Sequence, residues 1–237
     1  MEAVSVMNEQ TSGAFVFTCE HASCDVPVEY DGLGLDTDQL HDHIGWDIGA
    51  RSLTTHLARH FDATAVLAGV SRLVIDCNRD LADHDLILSQ SHGVPVPGNR
   101  DVDADERHRR IMQFYEPYHA AVDAVLRRQR DRFLVSVHTF TPVLNGRERR
   151  FDVGVLFDVY AEEAQHLGKA LAGEGVRVRY NEPYSGLDGL IYSAARHGGC
   201  HGAPYLELEV NNALLREPYA VERMALGIAR ALDVLRD

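Results

Sequence analysis

Twice in this chain a short apolar run of β-forming residues ends on a histidine. Phe15-Val16-Phe17-Thr18 runs into Cys19-Glu20-His21, and Phe133-Leu134-Val135-Ser136-Val137 runs into His138. Aromatic and β-branched residues in runs this short fit buried strands better than helices. An imidazole or a carboxylate at the end of a core strand is costly unless something satisfies it, because burying an unpaired polar group is unfavourable. A metal ion or a hydrogen-bond partner would serve, and His21 alone leaves the choice open. Two strand-end histidines say more than one. In α/β sheets ligands collect outside the carboxyl ends of strands, so both should face one crevice.

The segments between alternate strand and helix. Asp36-Thr37-Asp38 reads as a helix start, followed by a stripe of roughly helical spacing through Leu40, Ile44, Ile48, Leu53, Leu57 and Phe61. Asp47 sits on it between Trp46 and Ile48, as a capping or salt-bridged carboxylate or as a metal ligand. Thr64–Ala68 is a second strand. Leu73-Val74-Ile75 reads as the core of another, bracketed by Arg72 and Arg79 with Asp76 and Asn78 at its exit. A guanidinium is seldom buried without a partner. Either both arginines pair with local carboxylates such as Asp76, or they form a two-point grip on a substrate carboxylate.

Residues 80–102 lack periodicity and read as a long loop of the kind that is functional or mobile. A helix runs from Asp103, with Pro117 expected to kink or split it. Strands are expected at 153–159 and 176–180 with a helix over 161–172 between them. Residues 181–202 read as a loop offering Tyr184, Tyr192 and His197 as polar contacts. Pro204–Asn212 alternates apolar and acidic residues and so places Glu207 and Glu209 on one strand face, where they repel without a positive neighbour. An amphipathic helix over 221–235 closes the chain. The alternation gives an α/β layered domain whose sheet is mixed rather than purely parallel.

At 237 residues the chain is read as a single domain, 1–237. Its formal charge of −13 argues against nucleic acid and anionic membrane as partners, and no apolar run is long enough for a membrane span. Residues 1–13 lack a signal peptide's basic start and apolar core and are expected to form a flexible polar lead-in. Cys19, Cys24, Cys77 and Cys200 are scattered without a CxxC pair, which fits reduced thiols in a cytoplasm. Cys24, three residues after His21, is a weaker candidate ligand.

With these residues collected, the chain resembles the N-formylglutamate amidohydrolase family over most of its length. The motifs are Cys-Glu-His-Ala-Ser at 19–23, His-Ile-Gly-Trp-Asp-Ile-Gly-Ala at 43–50, Ser-Arg-Leu-Val-Ile-Asp-Cys-Asn-Arg at 71–79 and Pro-Val-Pro-Gly-Asn-Arg at 95–100. Phe-Tyr-Glu-Pro-Tyr-His at 114–119, Ser-Val-His-Thr-Phe-Thr-Pro at 136–142 and Asn-Glu-Pro-Tyr at 181–184 follow. The family looks related to zinc carboxypeptidases. The resemblance therefore implies a fold of the zinc-exopeptidase (phosphorylase/hydrolase-like) type and a hydrolase that frees the acyl group of an N-acyl amino acid.

Carried over residue by residue, the resemblance implies one zinc per chain on His21 and His138. Where the carboxypeptidase relatives place a glutamate three residues after their first histidine, this chain has Cys24, so the expected carboxylate ligand is Asp47, with Glu20 behind it. Asn78 and Arg79 are similar to an Asn-Arg pair that holds the substrate carboxylate, and Arg72 is expected to polarise the scissile carbonyl. Glu209 resembles the late-strand general base. Tyr192 and His197 fall in the region that closes the relatives' sites. The expected partner is a small anionic N-acyl amino acid. Zinc would acidify a water to a pKa of about 7, Glu209 would carry its proton, and Arg79 would anchor the substrate.

Overall fold

The computed structural model describes residues 2–9, 11, 13–129 and 131–236. Its strands are β1 (Val4–Met7), β2 (Phe15–Cys19), β3 (Thr64–Ala68), β4 (Gln90–Ser91), β5 (Val94–Pro95), β6 (Phe133–Phe140), β7 (Val143–Leu144), β8 (Arg147–Glu148), β9 (Val153–Leu156), β10 (Val178–Tyr180) and β11 (Tyr205–Asn211). Its helices are α1 (Thr37–His41), α2 (Ala50–His60), α3 (Ala104–Arg110), α4 (Glu116–Arg128), α5 (Ala161–Gly173), α6 (Tyr192–His201) and α7 (Pro218–Leu232). Seven strands form one mixed sheet in the order β1-β3-β2-β6-β11-β9-β10. The four central strands, β3, β2, β6 and β11, run parallel, while β1 and β9 are antiparallel to their inner neighbours. The α/β mixed-sheet architecture expected from the sequence is therefore present.

Strand alternation divides the core. Phe15, Phe17, Val135, Val137, Leu206 and Leu208 point to one face, against Leu53 and Leu57 of α2, Leu167 of α5 and Ile228 of α7. Val16, Leu134 and Tyr205 point to the other, toward Tyr118 and Val122 of α4 and Ala194 of α6. On this second face the apolar pattern gives way to polar residues near the carboxyl ends. Thr18 pairs with Ser136, Ser136 with Glu207, and one pleat further on His138 pairs with Glu209. Register thus lines up polar side chains from three strands, with Glu20 and His21 in the turn after β2.

Four local expectations are corrected. Val4–Met7 of the supposed lead-in forms the edge strand β1, its backbone bonds satisfied by β3. The helical stripe from Leu40 does not run through. Gly49 adopts φ +88° before α2, and a side chain there would meet Leu215 at 2.8 Å, so residues 42–49 form a turn between α1 and α2. Leu73-Val74-Ile75 is a buried loop rather than a strand. Its carbonyls find side chains instead of a neighbouring strand, Asn99 Nδ2 donating to Leu73 O at 2.7 Å and Arg110 Nη1 to Val74 O at 3.1 Å. Residues 192–201 of the supposed loop form α6, whose Gly198 lies where a side chain would strike the Tyr205 ring.

Near Pro117 the helix widens but is not split, its backbone staying helical through Arg110, Tyr115 and Glu116. A wide π-type turn over Ile111–Tyr115 joins α3 to α4, which begins at Glu116. No helix of the described residues is long and apolar enough to cross a membrane.

Candidate active site

The polar ends of β2, β6 and β11 open into a cavity of about 380 Å³, a size suited to a small ligand. His21, Asp47, Arg72, Asn78, Arg79, His138, Glu207 and Glu209 line it. The turn carrying Asp47 is tied to the sheet, since the Asp47 N–H donates to His21 O at 3.0 Å and the Thr139 N–H donates to Asp47 Oδ2 at 3.1 Å. A carboxylate far from His138 in sequence is thereby brought beside it.

The two histidines are held alike. His21 Nε2 lies 2.7 Å from Asp76 Oδ1, and His138 Nε2 lies 3.0 Å from Glu20 Oε2. Each buried carboxylate accepts that ring's Nε2–H, which turns the Nδ1 lone pair inward. The inward atoms then converge: His21 Nδ1 and His138 Nδ1 are 3.1 Å apart, and Asp47 oxygens lie 3.4 and 2.9 Å from them. Three electron-pair donors this close repel unless a cation sits among them. Donors about 2.1 Å from a tetrahedral ion are about 3.4 Å from one another, so the set fits a metal ion. The residues that could hold it are His21, Asp47 and His138. Glu20 is the outer partner of His138 rather than a member of this group, and Cys24 does not belong to it.

The charges agree. Glu20, Asp47, Asp76, Glu207 and Glu209 are all buried around this point. Burial opposes a charge on His138, yet Glu207, Asp47 and Glu20 hold its pKa well above the ordinary histidine value. That cage favours positive charge, which a divalent ion would supply. Burial would likewise raise Asp76, but Arg72 and His21 hold it well below the usual carboxylate range.

The remaining expected residues divide. Arg72 Nη2 donates to Asp76 Oδ2 at 2.7 Å and its Nη1 lies 3.3 Å from His21 Nδ1, so this arginine is partly committed to a local carboxylate. Arg79 lines the cavity, and its guanidinium makes no hydrogen bond or ion pair among the described residues. Asn78 lines it too, with both ends of its amide engaged: Nδ2 donates to Glu207 Oε2 at 3.3 Å and Oδ1 accepts the Ser193 N–H at 2.9 Å. Burial pushes Glu207 up to about 7, with His138 pulling it down. Burial raises the pKa of Glu209 well above its ordinary value, and its Oε2 is buried with no hydrogen-bond partner among the described residues.

Tyr192 and His197 are not among the cavity-lining residues. They ride on α6, where Tyr192 accepts from the hydroxyl of Tyr115 in the π turn and His197 packs on His119 of α4. Sequence reasoning passed over Asp76 as an outer partner and missed the wall made by His43, Ser91 and His92. The second part had a signal: His92-Gly93 at φ +48° and +85° is the tight turn of the β4–β5 hairpin.

A mixed α/β sheet that gathers two carboxylate-backed histidines, a third donor and a free arginine around a small cavity is the framework of a metal-ready hydrolase site. The comparisons give the family. The model for N-formylglutamate amidohydrolase matches residues 13–216, and the chain belongs to that family. A gene product of Agrobacterium tumefaciens of known structure is 32% identical, with a TM-score of 0.93 over 100% of this chain and 97% of its own. The N-formylglutamate amidohydrolase of Ralstonia eutropha shares the fold at 20% identity and a TM-score of 0.78, covering 100% of this chain and 99% of its own. No curated protein matches.

Proposed function

We propose that this chain is a zinc-dependent amidohydrolase that removes the formyl group from an N-formyl amino acid of the N-formylglutamate type. The observation that carries the reading is the convergence of His21 Nδ1, His138 Nδ1 and Asp47, each histidine backed by a buried carboxylate, beside the unpartnered oxygen of Glu209. His21, Asp47 and His138 would hold one zinc, which when bound supplies the Lewis acidity that amide hydrolysis needs at neutral pH.

The chain's own groups do the rest. Glu209 Oε2 takes the proton of the attacking water and returns it to the leaving amine, a role suited to a carboxylate whose pKa burial has raised well above its ordinary value. Glu207 is held by Asn78, which also lines the cavity beside Arg79. Arg79, whose guanidinium makes no hydrogen bond or ion pair among the described residues, grips the substrate carboxylate and sets the acyl carbonyl at the three donors. Arg72, anchored through Nη2, offers Nη1 to the oxygen that becomes negative. These arginines make the cavity attractive to a small anion although the chain as a whole is acidic. All four cysteines are free, in keeping with a cytoplasmic protein.

The cavity of about 380 Å³ has to take the amino-acid part of the substrate as well as its acyl group, so its volume does not restrict the acyl group to formyl, and a deacylase of wider acyl range is the second reading. Assay of N-formyl and N-acetyl amino acids, before and after chelation and with zinc restored, decides both. Hydrolysis should require zinc, and His138→Ala should lose metal and activity together. Full activity after chelation, or full metal content in both His21→Ala and His138→Ala, would remove the proposal. Equal kcat/KM for acetyl and formyl substrates would select the second reading.

A further inference from the structure

A second set of donors lies between α4 and α6. Asp123 stands on α4, and His197 and His201 stand four residues apart on one face of α6. Asp123 Oδ1 is 2.9 Å from His197 Nδ1 and 2.8 Å from His201 Nε2. One donor atom from each residue can be chosen so that all three lie within 4.8 Å of one another. Both rings turn a nitrogen to the same carboxylate oxygen, while among the described residues Asp123 Oδ2 has only Arg127 Nη2 at 4.0 Å. Two imidazoles serving only as hydrogen-bond donors would be free to take one oxygen each. Here the donors converge on a point.

The surroundings suit an ion. His197 Nε2 lies 2.8 Å from His119 Nδ1, the outer partner that orients a metal-ligating ring. The side chain of His197 is 1% exposed, that of His201 15% and that of Asp123 23%, so the cluster is closed on one side and open to solvent ligands on the other. Two imidazoles and a carboxylate suit zinc and its neighbours in the first transition row.

We propose that Asp123, His197 and His201 form a second divalent-metal site, separate from the cavity, that staples α6 to α4.

The test is zinc titration of chelator-stripped full-length protein against a chromophoric competitor, with thermal unfolding alongside. Wild type should bind two equivalents. His201→Ala and Asp123→Asn, both at partly exposed positions, should each bind one, keep wild-type kcat and lose part of the zinc-induced rise in Tm. His138→Ala should retain one equivalent, which belongs to the α4–α6 site. A wild type whose single equivalent is lost in His138→Ala, or variants at 201 and 123 that bind as much zinc as wild type, overturns the proposal. Failure of the active-site reading looks different: His138→Ala would bind as much zinc as wild type, while His201→Ala would still lose one equivalent.

Discussion

Replacing Glu20 by glutamine tests whether this buried carboxylate acts through His138. Its oxygens accept three hydrogen bonds: from the Tyr118 hydroxyl at 2.7 Å, the Ser136 hydroxyl at 2.7 Å and His138 Nε2 at 3.0 Å. Alanine would strand three buried donors at about 1–3 kcal/mol each. That sum is comparable with the whole stability of a domain, about 5–15 kcal/mol. Glutamine is the informative change. Its amide oxygen can still accept from Ser136 and His138, while its NH2 faces a Tyr118 hydroxyl able to rotate. What is lost is the negative charge behind the ring. Outer partners of metal-bound histidines are worth about 10- to 100-fold in metal affinity, or about 1.4–2.7 kcal/mol. Zinc affinity by chelator competition should therefore fall by that factor, with the fold intact by circular dichroism. Tyr118→Phe should instead cost stability, about 1.5–3 kcal/mol for a bond to a charged group, and leave zinc affinity near wild type. Unchanged affinity in Glu20→Gln would refute the reasoning. Outright loss of binding, as in His138→Ala, would make Glu20 a ligand.

Glu209→Gln should keep zinc and KM while kcat falls by about 10²- to 10⁴-fold; Glu207→Gln, held by Asn78 rather than unpartnered, should lose far less turnover, and the reverse order would exchange their roles. Arg79→Lys should raise KM because an ammonium lacks the planar two-point grip, and an amidated substrate should be poor for the wild type; equal turnover of amide and acid would make Arg79 structural. Burial raises the pKa of Asp152, but Arg177 and its own backbone N–H hold it below the usual value. That stability is present above the unfolded Asp value of about 3.9 and is lost as pH falls through the folded one. Asp152→Asn should thus unfold at a lower Tm than wild type at pH 7, the gap closing toward acid; a gap independent of pH would argue against the pair.

Local pattern was enough wherever a single element settles the outcome. The apolar runs before His21 and His138 could only be core strands, and the alternation at 205–211 put Glu207 and Glu209 on one face whatever their neighbours. The seven family motifs, spread from 19 to 184, carried the family. Where the outcome depends on partners distant in sequence, pattern failed. Leu73–Ile75 has a strand's residues, yet it is a loop because Asn99 and Arg110, 26 and 36 residues on, satisfy its carbonyls. Residues 192–201 contain glycines that weaken a helix in isolation, and α6 stands by packing on α4 and β11. The pairing of Asp76 with His21 and of Glu20 with His138 spans 55 and 118 residues, and no local period encodes it. Sequence alone determined which side chains arrive at the strand ends. Only the tertiary structure decided which nitrogen of each histidine faces inward, because that choice belongs to the carboxylate packed behind the ring.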